Sequence, residues 1–320
     1  MSILVTGGTG FIGAEIVRQL LAEGETELHV LHHSGNFQRL EDLSDRIHLI
    51  QADLADLDRM AAIVAETQPR VIYHLGAMLT VPSEANPQDS IQANAFGTYA
   101  LMEAARLNGV TQFLFSSSIG VYGQDTREDA LTDFSPQRPA TIYGTAKVFC
   151  ELLGAYYKSK YGLDYRGLRY PAVIGPGVKT PGPLQFTSWI IEECARGHPF
   201  LVSVPPETAV PAVYYKEAAQ AMIQLGRAPL EDIHTVTYLV NGMRPTPTIG
   251  ELAGIVRRKL PGAQIHFSQD KEWQPLVKKL VRPIDDSLAQ IEWGWNPTYT
   301  PEAMVDDFLA ELAEHPQRYA

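Results

Sequence analysis

The amino-acid sequence predicts an α/β fold with a doubly wound parallel sheet and a smaller C-terminal lobe. Short apolar runs alternate with amphipathic helical patterns through residues 1–172, which is typical of a parallel sheet covered by helices on both faces. Proline and glycine become frequent from Pro171 onwards, so residues 173–320 are expected to form mainly a separate lobe, with later segments returning to the sheet. A chain of 320 residues is long enough to bury the core that such a fold needs.

The first strand, predicted at residues 3–5, leads straight into a glycine cluster. Gly7, Gly10 and Gly13 lie between this strand and a helix whose apolar residues share one face. Glycines permit a tight turn and a close approach of the backbone to a pyrophosphate, whose charge the N–H groups of the helix N-terminus attract. Strand, glycine turn and helix therefore predict a dinucleotide-binding domain of the Rossmann type rather than a merely structural turn.

The remaining elements follow in order along the chain. Short apolar runs predict strands at residues 28–31, 47–50, 71–75, 113–116, 164–170, 200–204 and 237–240. Helical periodicity predicts helices at residues 60–66, 101–106, 143–161, 189–196, 216–225, 249–260 and 303–313. In the first half these strands and helices alternate, as a doubly wound sheet requires.

The composition argues against several classes of partner. The formal net charge is −11 and no basic run is present, which argues against a nucleic-acid surface. Met1 stands directly before the first strand and no apolar stretch has the length of a membrane span, so we expect a cytoplasmic protein without a membrane partner. Cys150 and Cys194 lack metal-ligand spacing and are predicted to be packing residues, so no metal site is expected.

Tyr143 and Lys147 open a predicted long helix and lie one turn apart on the same face. The pKa of a tyrosine is near ~10, and a lysine ammonium nearby would lower it towards the range of a useful base. Ser118, at the end of the fifth predicted strand, supplies a hydroxyl that can bond a substrate oxygen. For the pair alone, a capping tyrosine beside a solvated lysine remains the alternative.

Together with the glycine turn, this pattern resembles the extended short-chain dehydrogenase/reductase family of the NAD-dependent epimerase/dehydratase superfamily. The matching stretches occur in family order at residues 6–13, 53–54, 74–77, 94, 97–98, 116–123, 143–147 and 169–171. The resemblance implies an NAD(P)-dependent oxidoreductase that works by hydride transfer. By the same resemblance, Ser118 polarises the substrate, Tyr143 moves the proton, and Lys147 holds the nicotinamide ribose and tunes Tyr143.

The resemblance also implies which residues bind the ligands. The cofactor residues would be Gly7, Gly10, Phe11, Ile12, Gly13, His32, Asp53, Leu54, Leu75, Gly76, Ala77, Asn94, Tyr143, Lys147, Tyr170 and Val173. The substrate residues would be Thr80, Ser118, Tyr143 and Gln185. For Asn94, a helix-capping amide is the alternative. A homodimer is expected through the helices at 143–161 and 101–106, because Phe149, Leu153, Tyr156 and Tyr157 would give the longer helix an apolar outer face.

The substrate is expected to be a small hydroxy or amino acid rather than a nucleotide sugar. Nucleotide-sugar members commonly place an arginine for the diphosphate in the stretch that here spans residues 202–215, which contains none. Ile119-Gly120 and Pro171 also depart from the dehydratase and epimerase patterns. In the stretches 80–87, 151–157, 168–171, 283–287 and 293–295, the chain looks more like the short-chain-type L-threonine 3-dehydrogenases and D-erythronate dehydrogenases. It lacks, however, the paired threonines that threonine dehydrogenases carry where Gly182 is followed by Pro183.

The cofactor is expected to be NAD or NADP, with NADP slightly favoured. NAD sites usually end the second strand with an acid that bonds the ribose 2′-OH, whereas this strand ends in His32-His33-Ser34. These residues and Arg39 could contact a 2′-phosphate, although ordinary loop histidines are the alternative reading. A nucleotide-sugar epimerase or dehydratase, and a non-catalytic dinucleotide sensor, are the other functions considered. A sensor would typically lack the tyrosine–lysine pair.

Overall fold

The computed structural model describes residues 2–123, 126–268, 277 and 281–319 and has the predicted doubly wound α/β architecture. The strands are β1 (Ser2–Thr6), β2 (Glu27–His32), β3 (His48–Gln51), β4 (Val71–His74), β5 (Gln112–Ser118), β6 (Asp164–Tyr170), β7 (Ala172–Ile174), β8 (Phe200–Val202), β9 (Ala212–Tyr214), β10 (Thr237–Leu239) and β11 (Ile265–Phe267). The helices are α1 (Phe11–Ala22), α2 (Leu57–Thr67), α3 (Thr80–Ala85), α4 (Pro87–Ser90), α5 (Gly97–Leu107), α6 (Ile142–Tyr161), α7 (Phe186–Ala195), α8 (Tyr215–Arg227), α9 (Ile249–Lys259), α10 (Ser287–Trp293), α11 (Pro301–Glu314) and α12 (Pro316–Tyr319).

Seven strands form one parallel sheet in the order β10-β6-β5-β4-β1-β2-β3. The chain builds outwards from β1 to β3 on one side and then crosses to β4, which pairs with the other side of β1. The loops after β1 and β4 therefore diverge at the carboxyl edge of the sheet and leave a crevice between them. In sheets of this kind ligands bind at such a crevice.

Both faces of the sheet are buried, as the continuous apolar strands predict. On β1, Ile3 and Val5 belong to one apolar cluster with residues of α1 and α8, whereas Leu4 belongs to a second cluster with residues of α2 and α5. Successive side chains of a strand point to opposite faces, so the two clusters lie on opposite sides of the sheet. This arrangement confirms the predicted fold class.

The C-terminal part has an apolar cluster of its own, to which α7, α9 and α11 contribute. Two small parallel sheets, β7 with β9 and β8 with β11, accompany it. β10 and α8 instead return to the central sheet, because β10 pairs with β6 and α8 packs against α1. The division into residues 1–172 and 173–320 stays a prediction.

Several short elements were not predicted from the sequence: α3, α4, α10, α12, β7, β9, β11 and a π-helical stretch at Ile91–Phe96. Elements of so few residues show too little periodicity to be recognised. Cys150 and Cys194 are buried free thiols, in agreement with their predicted packing role. Across the described ranges, no helix combines the length and the apolar character needed to cross a bilayer. The same residues contain no group of three His, Cys, Asp or Glu side chains placed to hold a metal ion.

Candidate active site

The glycine turn between β1 and α1 has no space for side chains at Gly7 and Gly13. Gly7 has a φ of +64°, and a Cβ atom there would lie 2.7 Å from the backbone nitrogen of Gly76. A Cβ atom on Gly13 would overlap the carbonyl oxygen of Gly7. The turn is therefore packed tightly against the loop that follows β4, and its bare backbone allows a ligand to approach closely.

The N-terminus of α1 carries no side-chain cap. Gly10 stands at the N-cap position, no side chain there accepts a hydrogen bond, and the first turn has no acidic residue. The N–H groups of this turn thus remain available to an anion, which the helix dipole also attracts. The glycine turn and this helix end together fit the phosphates of a dinucleotide.

One cavity of about 490 Å³ lies at the crevice in the sheet. It is lined by the glycine turn, the residues at the ends of β4, β5 and β6, the start of α6, and the segment 177–185. Its volume is in the range of small-molecule sites, roughly 300–1,000 Å³. Dinucleotide and small substrate would therefore meet in a single space.

Ser118 is the last residue of β5, paired in register with Tyr170 of β6. Its Oγ accepts a hydrogen bond of 3.0 Å from the N–H of Gly120 and so begins a short 3₁₀ turn. A Cβ atom on Gly120 would lie 3.4 Å from this Oγ and 3.6 Å from the ring of Tyr143. Because the oxygen already accepts a bond from the backbone, the hydroxyl hydrogen can be donated to a substrate oxygen.

Tyr143 is the second residue of α6, and the start of this helix is fixed by two side chains. Thr141 accepts a hydrogen bond of 3.0 Å from Gly144 N–H, and Glu84 accepts one of 2.7 Å from Ile142 N–H. With its helix held in this way, Tyr143 lines the cavity together with Ser118. The two hydroxyl-bearing residues that the sequence predicted to cooperate are thus neighbours.

Lys147 lies one turn further along α6 and is buried. Its Nζ donates a hydrogen bond of 2.7 Å to the carbonyl oxygen of Ser116 and lies 4.6 Å from the centre of the Phe115 ring. Burial lowers the pKa of Lys147 to about 8. The ammonium is therefore held at the cavity wall by contacts to β5.

The pKa of Tyr143 departs from the prediction. Burial raises this pKa to about 12, and the Ser118 hydroxyl acts in the opposite direction. The expectation that Lys147 lowers the pKa of Tyr143 is not what the structure shows. The Lys147 Nζ lies 5.6 Å from the centre of the tyrosine ring and is directed to a backbone carbonyl. Desolvation of the phenol therefore sets the direction of the shift.

A buried ion pair lies behind the three candidate catalytic residues. The guanidinium of Arg169, on β6, donates to the carboxylate of Glu151, on α6, with a shortest distance of 2.6 Å. Glu151 also accepts a hydrogen bond from Ser117, and Arg169 donates one of 2.8 Å to the Tyr122 hydroxyl. These contacts hold the helix that carries the tyrosine and lysine against the strand that ends in Ser118.

Most of the predicted site residues line the cavity. They are Gly7, Gly10, Phe11, Ile12, Gly13, Leu75, Gly76, Ala77, Thr80, Ser118, Tyr143, Lys147, Tyr170, Val173 and Gln185. The structure thus brings together the predicted catalytic residues, the predicted substrate residues and the larger part of the predicted cofactor site.

Asn94 lies outside the cavity and braces the loop that forms part of its wall. Its Oδ1 accepts a hydrogen bond of 2.7 Å from Met78 N–H, and its Nδ2 donates one of 2.8 Å to Met78 O. Asn94 belongs to the π-helical stretch rather than to a helix N-terminus, so the capping alternative does not apply. Any effect of Asn94 on a ligand would pass through the loop after β4.

His32, Asp53 and Leu54 also lie outside the cavity lining. His32 is buried, its Nδ1 accepts a hydrogen bond of 3.2 Å from Gly35 N–H, and burial lowers its pKa. Asp53 is exposed and accepts a hydrogen bond of 2.9 Å from Ala55 N–H. In this fold, the ends of β2 and β3 border the adenosine half of a dinucleotide. We refer to His32, His33 and Asp53 as the adenosine end.

Several lining residues were not predicted: Leu79, Ser116, Ser117, Ile119, Gly120, Thr141, Lys179 and Thr180. Most of them lie within two residues of Thr80, Ser118 or Tyr143, and this proximity in the chain is the signal that could have found them. Arg39 also lines the cavity, although the sequence analysis associated it with a 2′-phosphate. Among the described residues, the lining contains no Asp or Glu side chain.

The chain is similar to known dehydrogenases in both sequence and structure. Residues 3–240 match the sequence profile of the NAD dependent epimerase/dehydratase family. A mitochondrial L-threonine 3-dehydrogenase from Sus scrofa is 29% identical over 311 residues, which are 96% of this chain and 81% of that protein. A GalE-like L-threonine dehydrogenase from Cupriavidus necator (holo form) has a TM-score of 0.86 at 27% identity, covering 98% of this chain and 100% of its own. The structure of the L-threonine dehydrogenase from Phytophthora infestans has a TM-score of 0.86 at 29% sequence identity, and the match covers 98% of this chain and 99% of that one.

The match to the family extends from β1 to β10 and includes the glycine turn, Ser118, Tyr143 and Lys147. It confirms the resemblance inferred from the motifs, and with it the prediction of an enzyme that uses a nicotinamide cofactor. Fold, sequence motifs and comparison agree, and the chain belongs to the NAD dependent epimerase/dehydratase family.

Proposed function

We propose that the protein is an oxidoreductase that transfers a hydride between a nicotinamide cofactor and a small hydroxy or amino acid. The observation that carries the proposal is that Ser118, Tyr143 and Lys147 line the same cavity as the glycine turn. A proton-transferring hydroxyl, a hydrogen-bond donor and a cation beside a dinucleotide cradle are the groups that alcohol–carbonyl interconversion needs.

Each of the three residues has a separate role in this proposal. The nicotinamide, when bound, supplies the carbon that accepts or gives up hydride. Ser118 donates a hydrogen bond to the substrate oxygen, and Tyr143 exchanges a proton with the same oxygen. With a pKa of about 12, Tyr143 is protonated at neutral pH and can donate to a carbonyl oxygen. Accepting a proton from an alcohol requires a lower pKa of the phenol, and therefore positive charge closer to its oxygen than Lys147 provides in this structure.

The charges of the cavity support an anionic substrate. The described lining includes Lys147 and Lys179 besides Arg39 and no carboxylate, so the potential inside favours anionic ligands, both the phosphates of the dinucleotide and a substrate that carries a carboxylate. Thr80 and Gln185 add polar groups that can orient a hydroxy or amino acid. Relatives named as L-threonine dehydrogenases support the amino-acid side of the proposal. The absence of an arginine in residues 202–215 disfavours a nucleotide diphosphate.

A dehydrogenase screen of small hydroxy and amino acids tests the proposal. Reduction of NAD+ or NADP+ is followed at 25 °C in the full chain, with Tyr143→Phe as the inactive control. UDP- and dTDP-sugars are tested in parallel for binding by calorimetry. Cofactor reduction by a small acid that Tyr143→Phe abolishes is the expected result. Tight binding of a nucleotide sugar without any such reduction would favour the epimerase or dehydratase alternative.

We also propose that NADP binds at least as tightly as NAD. In support, β2 ends without a carboxylate, and the exposed residues that follow it, His33 and Ser34, carry no negative charge. A 2′-phosphate would therefore meet no like charge on β2 itself, and the exposed carboxylate of Asp53, 3.4 Å from His33, follows the end of β3. Titration of the wild-type protein with both oxidised cofactors tests this, and a tenfold or greater preference for NAD would contradict it.

We further propose a homodimer through α5 and α6. Phe96, Phe149, Leu152 and Tyr156 are exposed on this side. Two residues predicted to lie on the outer face are not exposed: Leu153 packs partly buried against the core, and Tyr157 is buried and donates a hydrogen bond of 2.7 Å to Glu103. Exposed apolar side chains on neighbouring helices are typical of a subunit contact. Sedimentation should give a dimer at micromolar concentration and a monomer after Leu152→Lys. A monomeric wild type would contradict the proposal.

A further inference from the structure

Arg39 lies in the 3₁₀ segment Gln38–Arg46 that follows β2, but its side chain does not remain near the end of that strand. The guanidinium carbon lies 5.5 Å from the centre of the Phe11 ring and 5.3 Å from the centre of the Tyr319 ring. Phe11 is the first residue of α1, directly after the glycine turn. Two aromatic rings therefore hold the guanidinium beside the N-terminus of α1.

The hydrogen bonds of Arg39 use only part of the guanidinium. Its Nη2 donates to the carbonyl oxygens of Pro176, at 3.3 Å, and Gly177, at 2.6 Å. Gly177 has a φ of +72°, and a Cβ atom there would lie 2.7 Å from the same nitrogen. Among the described residues, Nη1 and Nε have no hydrogen-bond partner. The side chain is held firmly while N–H groups remain available.

Arg39 is a half-buried cation without an ion-pair partner in the described part of the chain. The carboxylate that acts on it electrostatically is that of Glu192, whose oxygens already accept hydrogen bonds from Gly177 N–H and Arg196. A guanidinium removed from water in this way is stabilised when an anion binds to it. The structure thus leaves room for a ligand to supply the negative charge.

The position in the cavity indicates which anion this is. Arg39 lines the cavity together with Gly10, Phe11 and Gly13, whereas His32 does not. The pyrophosphate of a dinucleotide binds at the glycine turn and helix N-terminus, while the ribose 2′ position is read at the end of β2. The guanidinium is therefore on the pyrophosphate side of the site.

We propose that Arg39 binds the pyrophosphate of the dinucleotide through its free N–H groups and does not take part in the choice between NAD and NADP. A planar guanidinium can bond phosphate oxygens in a fork, which fits a fixed position between two rings. Because Nη2 also bonds Pro176 and Gly177, the same side chain connects the bound phosphates to the segment 177–185 of the cavity wall. The proposal rests on the dinucleotide-dependent function proposed above.

Binding titrations of the full chain test this role without reference to activity. Wild type and Arg39→Met are titrated with NAD+, NADP+ and ADP-ribose by calorimetry. We expect Arg39→Met to lower all three affinities by the same factor, about 10- to 100-fold, as for the loss of hydrogen bonds to a charged group. Arg46→Met is the matched control, because Arg46 lies in the same segment, is exposed and does not line the cavity. It should leave the three affinities unchanged.

Arg39→Lys keeps the charge but not the fork, and provides a second test if Arg39→Met folds poorly. It should weaken NAD+ and NADP+ equally, by less than the methionine variant does. A loss confined to NADP+ would assign Arg39 to the 2′-phosphate and overturn the proposal, as would unchanged affinities in folded variants. A loss for NAD+ without one for ADP-ribose would also contradict it. If wild type binds no dinucleotide, the proposed function fails as well.

Discussion

The catalytic wall, formed by Ser118, Tyr143 and Lys147, and the adenosine end of the same site are built in different ways. Each part of the wall is held by another element. Ser118 accepts a hydrogen bond from the following turn and Lys147 donates one to β5. The start of α6, which carries Tyr143, is bonded to α3. At the adenosine end, the side chains of His33 and Asp53 are 75% and 52% exposed, and His33 Nε2 lies 3.4 Å from Asp53 Oδ2. The catalytic wall is fixed by packing, whereas His33 and Asp53 of the adenosine end face solvent beside the buried His32.

The difference follows from what each region must do. Groups that act on reacting atoms must be held within fractions of an ångström, so they stand on a strand end and a helix braced by the buried pair of Glu151 and Arg169. The choice between two cofactors that differ by one phosphate depends on charge at one strand end, which does not need a rigid core. Substitutions at the wall should therefore affect stability and rate strongly, and those at the adenosine end should affect selectivity.

The largest effect is expected behind the wall, at Arg169. Arg169→Met leaves the Glu151 carboxylate buried without its cation, which should lower the free energy of unfolding by about 3–5 kcal/mol. Arg227→Met is the matched control, since Arg227 forms an exposed ion pair with Glu23 and should cost about 1 kcal/mol or less. Urea unfolding measures both. Equal losses in the two variants would contradict the distinction between a braced wall and a solvated surface.

The next effect concerns the chemistry of the wall itself. Tyr143→Phe removes the hydroxyl that exchanges the proton, so turnover should fall by more than ~10²-fold. The affinity for the dinucleotide should stay nearly unchanged, because the phosphates are held elsewhere. Steady-state kinetics and a cofactor titration of the same preparation measure the two quantities. Near-normal turnover would contradict the proposed role of Tyr143 in proton transfer.

The regions also differ in how far they could be predicted from the sequence. The glycine turn, Ser118, Tyr143 and Lys147 were predicted because each belongs to a local pattern at the end of a strand or the start of a helix. The raised pKa of Tyr143 could not be predicted in this way, because desolvation depends on all the residues packed around the ring, including those distant in sequence.

Arg39 shows a second limit of local reasoning. Its segment is held by the distant C-terminal residues: Gln38 donates a hydrogen bond of 2.5 Å to Gln317 O, and Arg318 pairs with Asp42 at 2.9 Å. No pattern around Arg39 records these contacts, so the sequence analysis left its side chain near the end of β2. Asn94 lies in a π-helical stretch outside the cavity lining, and its predicted contact with the cofactor stays a prediction.

The buried Lys147 of the catalytic wall should make the stability of the protein depend on pH. Its pKa is lowered from 10.5 to about 8 by burial, so above pH 8 the folded state releases a proton that the unfolded state still holds. The unfolded state then binds more protons at this site, so the contribution of Lys147 to the free energy of unfolding should rise as the pH increases from about 8 towards 10.5. Lys147→Met should lack this contribution. Urea unfolding of both proteins at several pH values measures it, and identical slopes would contradict the lowered pKa.

At the adenosine end, a single substitution should change selectivity by about tenfold or more. His32→Asp places a carboxylate where NAD-specific sites have one, giving an acceptor for the ribose 2′-OH and a like charge against a 2′-phosphate. The preference should therefore shift towards NAD. Titration of wild type and variant with both oxidised cofactors measures the ratio of affinities. If the ratio stays the same, the end of β2 does not read the 2′ position.

The smallest effect on stability is expected at His33. A substitution there tests whether the exposed part of the adenosine end contributes little to the stability of the fold. His33→Gln removes an exposed imidazole whose partner in the described structure is the exposed carboxylate of Asp53. Solvent screens such a pair, so the free energy of unfolding should change by no more than about 0.5 kcal/mol. If His33 contacts a 2′-phosphate, the affinity for NADP+ should fall a few-fold while that for NAD+ stays constant. Urea unfolding and parallel titrations separate the two quantities. A stability loss approaching that of Arg169→Met would show that the adenosine end is braced like the catalytic wall, and the comparison would then fail.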